Sequence, residues 1–257
     1  MKIMRFIGIV FALFSAGSPS DTSAQDSGKK YKVYMVSNSH LDTQWRWDVK
    51  ATIDDYLYNT AVQNLALLEK YPHYVFNFEG AVKYEWIKEY YPHLFERIRK
   101  FVADGRWNIS GASFEANDPN MPSSESFIRN ILLAQEFYKK EFGIKSKDMF
   151  LPDCFGFSQV MPTLGHHCGL IGFSTQKLSW RKHDFFPDAP YHKKNPFSWG
   201  VWYGIDGQSL MAAFDTGGYT AELPADAGYN KDFIRRASNG FDNTAMRYYS
   251  GGHLHGT

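Results

Sequence analysis

Apolar and polar positions along the chain alternate between two rhythms. Short runs rich in aromatic and β-branched residues, at Tyr31–Val36, Tyr74–Phe78, Trp107–Ser110, Met149–Leu151 and Gly172–Thr175, read as strands. Between them the period lengthens to that of a helix. Ile53–Tyr71 carries Leu57, Ala61, Asn64/Leu65 and Leu68 on one face and is stopped by Pro72. Ala81–Tyr91 and Leu94–Ala103 read as two helices separated at Pro92 and ended by Asp104-Gly105. Ser123 or Ser124 caps a long helix with an apolar stripe of Phe127, Ile131, Ala134, Tyr138 and Phe142, and Gly143 closes it.

Strands alternating with helices of this length predict an α/β fold. The expected architecture is a distorted barrel or open sheet of mostly parallel strands covered by helices. After residue 195 the pattern changes. Phe197–Tyr203 and Gln208–Phe214 flank Gly204-Ile205-Asp206-Gly207, which predicts a β-hairpin with Asp206 as a turn residue.

The amino terminus follows neither rhythm. Lys2 and Arg5 precede an apolar core at Phe6–Phe14, and Thr22-Ser23-Ala24 offers a small-residue cleavage site before Gln25. Residues 1–24 therefore read as an export signal and 25–30 as a linker, leaving 31–257 as one domain. The apolar run is too short to span a membrane. The expected location is periplasmic or extracellular.

Without residues 1–24 the chain loses Lys2, Arg5 and Asp21, so its basic and acidic residues become equal in number. A neutral chain with no basic cluster excludes nucleic acid as a partner, and excludes a membrane partner beyond export. Cys154 and Cys168 do not make a disulfide framework, and are expected to be free, buried thiols. Aromatic residues make up 17% of the chain. Most belong in a core, but Trp45, Trp47 and Trp180 lie near polar segments where a ring could face a sugar.

Two polar segments follow strands. In Ser39-His40-Leu41-Asp42, alternation points His40 and Asp42 the same way, presenting a nitrogen and an oxygen to one point in space. That ligand mix suits zinc. Asp153, in Leu151-Pro152-Asp153-Cys154, arrives from another strand end, where α/β folds place their chemistry. His166-His167-Cys168 is not expected to form a ligand set, because adjacent side chains diverge. The loop Glu115–Asn120 offers Asp118 and Asn120 either as sugar-hydroxyl ligands or as turn formers around Pro119. Arg46 reads equally as a partner for a site carboxylate or as a surface residue.

The wording H-x-D-x-x-W at His40–Trp45, then P-D-x-F-G-x-S at Pro152–Ser158, resembles the amino-terminal domain of the glycoside hydrolase family 38 α-mannosidases. The resemblance runs from Lys32 to Phe214 and includes Asp104–Gly111 and the Pro-Ser-Ser-Glu-Ser stretch at 122–126. It implies a zinc-dependent retaining hydrolase of terminal α-linked mannose, with an α-mannoside glycan as substrate. It also implies that Asp153 is both nucleophile and zinc ligand, that His40 and Asp42 are ligands, and that Zn²⁺ grips adjacent sugar hydroxyls.

In that family a further zinc-binding His lies beyond this length, and the acid/base Asp lies in a Gly-rich segment. Arg247–Gly252 is similar to the start of that segment, but Asp242 is the last carboxylate in the chain. His253 and His255 read as terminal residues, not substitute ligands. The sequence is thus expected to be a carboxyl-terminally truncated form of low activity. Two rival readings use the same residues: a zinc–water hydrolase of deacetylase type, and a carbohydrate-binding remnant without turnover.

Overall fold

The computed structural model describes residues 37–175 and 199–214. The expected export signal, the linker, the strand at Tyr31–Val36, Trp180, Asp242, His253 and His255 lie outside the described residues.

Three parallel strands form the first sheet, in the order β1 (Ser37–Ser39), β2 (Phe76–Glu79), β3 (Trp107–Ser110). Phe76 pairs with Trp107 and Phe78 with Ile109 across β2 and β3. These four side chains are buried on one face because strand alternation sends them the same way. The second sheet has the order β4 (Asp148–Phe150), β5 (Gly172–Ser174), β7 (Ser209–Ala213), β6 (Trp199–Tyr203). Among the described residues, only the β6/β7 hairpin is antiparallel. Its turn is held by Asp206, whose carboxylate accepts from Thr163 Oγ1 at 2.7 Å and Gln208 N at 3.1 Å and pairs with His167 at 2.9 Å.

The sheets meet where Ala112 N, just past β3, donates to the carbonyl of Asp148 at 2.8 Å. The Asp148 carboxylate closes the seam by accepting from Ser146 Oγ (3.0 Å), Ser110 Oγ (3.2 Å) and Gly111 N (3.3 Å). Its pKa is raised, because burial outweighs these hydrogen bonds.

Helices cover the sheets: α1 (Val49–Ala51), α2 (Tyr58–Lys70), α3 (Ala81–Tyr90), α4 (Pro92–Ala103), α5 (Ser124–Phe142) and α6 (Met161–His167). The expected helix at Ile53–Tyr71 begins earlier, with Asp48 capping Ala51 N, and a π-helical stretch at Thr52–Leu57 joins α1 to α2. Pro92 opens α4 at a first-turn position, where its missing N–H costs nothing. Ser123 caps α5 and Gly143 ends it in the left-handed region, φ 72°. The sequence reading missed α6. Among the described residues, no helix is long and apolar enough to cross a membrane.

Two apolar cores result. One joins β2 and β3 to α2, α3 and α4 through Leu65, Phe78, Tyr84, Ile98 and Trp107; the other gathers Met149, Met161, Phe173 and Leu210 around the second sheet. Helix α5 serves both, with Tyr138 and Ala134 in the first and Phe127 and Ile131 in the second.

Candidate metal centre

His40, Glu79 and Asp153 lie at or just past the carboxyl ends of β1, β2 and β4. Leu41 turns into the first core, so its neighbours His40 and Asp42 face the opposite way, together. Leu151 N continues the second sheet by donating to Ser174 O at 2.9 Å, and the chain then turns at the buried Pro152 to present Asp153.

His40 Nε2 lies 3.2 Å from Asp42 Oδ1 and 3.9 Å from Asp153 Oδ2. One ligand atom from each residue falls within 4.8 Å of the other two. Ligands about 2.0–2.2 Å from a tetrahedral zinc are separated from each other by roughly 3.4 Å. One imidazole nitrogen and two carboxylate oxygens at this spacing therefore fit a zinc ion in chemistry and in reach. The His40 side chain is 7% exposed, while Asp42 and Asp153 are 27% and 26% exposed, so the carboxylates open toward solvent.

Behind His40 lies a buried ion pair that the sequence reading did not find. Glu79 Oε1 is 2.9 Å from His40 Nδ1 and accepts from Lys83 Nζ at 2.8 Å. Both Glu79 and Lys83 are enclosed, with side chains 2% and 0% exposed. Burial alone raises the Glu79 carboxyl, but Lys83 and His40 outweigh it and hold the group at about 2. Lys83 and His40 shift the other way, raised because their acidic neighbours outweigh the burial that opposes their charge. A signal was present: Lys83 is in phase with Ile87 on the inner face of α3, directly after a strand that ends in Glu79.

The loop after β3 forms the adjoining wall. Ser113 O and Phe114 O accept from the first amides of α3, Ala81 N at 3.1 Å and Val82 N at 2.9 Å. From α5, Asn130 accepts from Glu115 N (3.0 Å) and donates to Glu115 O (2.9 Å) and Asn117 Oδ1 (2.8 Å). Glu115 Oε1 lies 4.0 Å from Lys83 Nζ, and burial leaves its pKa raised. Asp118 caps the turn, accepting from Asn120 N at 2.7 Å and Met121 N at 2.9 Å. Asn120 reaches the Asp153 segment, its Nδ2 packing over Gly156. Cys154 lies between these walls, its Sγ 3.6 Å from Asn117 O. Both cysteines are free, as expected, but each is half-buried and not enclosed. Burial pushes the Cys154 thiol up to about 12.

The two tryptophans part company. Trp45 is 60% exposed, with the Arg46 guanidinium 4.3 Å over its ring. Trp47 packs on the first core and donates from Nε1 to Thr52 Oγ1 at 2.8 Å. Thr52 in turn donates to Thr43 O at 2.7 Å, so the π-helical stretch anchors the His40–Trp47 segment. Trp47 thus anchors this segment, its ring half-buried against the core. His166 and His167 diverge, their rings nearly perpendicular, with His167 taken by Asp206.

The chain is similar to proteins of known family. Residues 30–247 match the model of the glycosyl hydrolases family 38 N-terminal domain. Alpha-mannosidase G of Dictyostelium discoideum is 35% identical over 239 residues, 90% of this chain and 20% of the relative. Alpha-mannosidase 2C1 of Homo sapiens is 33% identical over 188 residues, 73% of this chain and 17% of the relative. The chain thus spans about a fifth of the length of these curated relatives. Among solved structures, an alpha-mannosidase from Enterococcus faecalis V583 superimposes with TM-score 0.66 at 21% identity, over 85% of this chain and 24% of that one. A 4-alpha-glucanotransferase from Thermococcus litoralis follows at TM-score 0.58 and 15% identity, over 84% of this chain and 32% of that one. At such identities these two likenesses speak for the fold alone. The match over residues 30–247, joined to the curated relatives, establishes that the chain belongs to glycosyl hydrolase family 38, in its N-terminal domain.

Proposed function

We propose that this chain forms the part of a retaining α-mannosidase that binds zinc and supplies the nucleophile, acting on terminal α-linked mannose of glycans. The observation that carries the reading is the convergence of His40, Asp42 and Asp153 within a family 38 domain. When bound, zinc supplies a Lewis acid and a template for neighbouring sugar hydroxyls.

The chain's own residues do the rest. As nucleophile, the Asp153 carboxylate attacks the anomeric carbon as the glycosidic C–O bond breaks and the aglycone oxygen leaves, forming a glycosyl ester whose own C–O bond water then displaces, for net retention. His40 and Asp42 fix the direction from which Asp153 approaches. The exposed ring of Trp45 offers a face on which a pyranose can stack. Asn120, and the outer oxygen of Asp118, offer hydrogen bonds to sugar hydroxyls. No proton donor is assigned among these residues, so a substrate with a good leaving group is the appropriate probe.

The test uses an aryl α-mannoside. Slow, zinc-dependent release of the phenol, abolished by chelator and by Asp153→Ala, is the expected result. Release that survives Asp153→Ala removes the nucleophile assignment. Deacetylation of an acetylated sugar without mannoside cleavage would replace the glycosidase reading altogether.

We further propose export, supported by Lys2, Arg5, the Phe6–Phe14 run and Ala24. Mass spectrometry of the protein made in its native cell is expected to find an amino terminus near Gln25, and an intact Met1 on the accumulated protein overturns it.

A further inference from the structure

We infer that the buried Glu79–Lys83 pair is a positioning device for His40, setting which imidazole nitrogen faces the metal. The inference rests on the zinc reading above and goes beyond it, to residues that touch neither metal nor sugar.

The geometry is specific. Two donors converge on one oxygen: His40 Nδ1 at 2.9 Å and Lys83 Nζ at 2.8 Å from Glu79 Oε1. A neutral imidazole carries one proton. With that proton on Nδ1 and donated to Glu79, the Nε2 lone pair is left on the side of Asp42 and Asp153. In the other tautomer Nδ1 has no proton for Glu79, and Nε2 presents a hydrogen where a metal needs a lone pair. A carboxylate behind a ligating histidine therefore fixes the ring's orientation and raises its basicity.

Lys83 completes the device. Gly80 enters α3 at φ +89°, and a methyl group there would come within 3.0 Å of Lys83 Nζ, so the ammonium is folded back over the strand end. It is fully enclosed, and among the described residues its charged neighbours within 4.0 Å are Glu79 and Glu115. Held this way, Lys83 leaves Glu79 one place to sit, with its oxygen toward His40. As a contribution to stability alone the pair has little rationale. Replacing a buried ion pair with apolar side chains of similar volume is often neutral or stabilising. A role in aiming His40 accounts for charges in a place that an apolar pair would fill more cheaply.

The test separates aiming from packing. Zinc affinity is measured on the purified protein by competition with a chromophoric chelator, and zinc-free melting is recorded alongside. The double variant Glu79→Met/Lys83→Met removes both charges and keeps the volume. It is expected to melt near the unmutated protein yet bind zinc about 10–100-fold more weakly, the usual effect of losing such a partner. Glu79→Gln keeps the shape and an acceptor oxygen, and is expected to fall between the two. It also carries the test should the double variant fail to fold. Unchanged zinc affinity in a folded double variant, or in Glu79→Gln where only that variant folds, overturns the inference. Absence of zinc binding by the unmutated protein overturns the metal reading itself, and the positioning role with it; that failure is recognisable because it precedes any substitution.

Discussion

Gly80→Ala is the most exacting perturbation of this fold, because the residue joins the strand that ends in Glu79 to the helix that carries Lys83. Its backbone, at φ 89° and ψ 105°, lies where side chains other than hydrogen are rarely found. Holding an alanine there costs about 1–3 kcal/mol. The new methyl also meets Lys83 Nζ at 3.0 Å and its Cδ and Cε at 3.3 Å. At these distances the enclosed ammonium must give by a few tenths of an ångström, which disturbs its contact with Glu79. Reduced freedom of the unfolded chain offsets about 0.4–1 kcal/mol. With the contact included, a net loss of about 1–3 kcal/mol corresponds, at roughly 2–4 °C per kcal/mol for a domain of this size, to a melting point about 2–12 °C lower. Gly105→Ala is the internal control. Gly105 has φ 70° but no atom within 4 Å of an added methyl, so only the backbone penalty applies there. Thermal unfolding followed by circular dichroism, with zinc affinity measured in parallel, reads both. Gly80→Ala is expected to melt lower than Gly105→Ala and to be alone in weakening zinc. If the two substitutions are equivalent in both measurements, the contact with Lys83 carries no energy and the reasoning fails.

Other consequences can be checked. Asn130→Ala deletes three hydrogen bonds that hold Glu115 and Asn117, and is expected to cost about 1–3 kcal/mol. It should also slow aryl mannoside release several-fold, by loosening the wall beside Asp153; unaltered stability would show that the loop is held by other contacts. Asp148 gives a pH signature. Its carboxyl is raised in the folded state, so its protonated form favours folding. That contribution is fully present below the unfolded value of about 3.9 and is lost as pH rises through the higher folded value. The stability of the unmutated protein relative to Asp148→Asn should therefore improve as pH falls from neutral toward the unfolded value of about 3.9 in urea titrations. A difference that stays constant, or moves the other way, contradicts the assigned shift.

The elements legible in the sequence are those whose signal is local. Trp107–Ser110 shows its strand by alternation, and the long helix shows both ends through Ser123 and Gly143. His40 and Asp42 were legible as a pair because alternation alone makes them neighbours. Helix α6 was hidden because it is short, opens on Met161-Pro162 and ends in two histidines, with a glycine at position 165. That glycine is required by packing and not by the backbone: a methyl there would lie 2.3 Å from Met149 Cε and 2.9 Å from Leu210 Cδ1. The Glu79–Lys83 pair escaped because charged residues are ordinarily read as solvated. Only the meeting of strand end, helix start and His40 reveals that these two are enclosed. Asp118 reads from sequence as sugar ligand or turn former, and the two are compatible: one of its oxygens serves the turn amides of Asn120 and Met121, which leaves a ligand role to the other.

Helix α5, which lends residues to both apolar cores, has a consequence for the order in which the protein assembles. Much of each core joins segments that are close along the chain, whereas His40 and Asp153 are far apart and stand on different sheets. Closing that longer loop carries the larger entropic cost, so it is expected to follow the local helices and strand pairs. Engagement of α5 with both cores is therefore expected to precede the meeting of the ligand set. Zinc uptake during refolding should then lag the return of helical signal, and simultaneous recovery would place the junction of the sheets in the folding nucleus instead. On the proposed zinc reading, the ion would stabilise only the form in which its ligands meet, so its capture would act as a late check that draws the population toward chains whose two cores have docked.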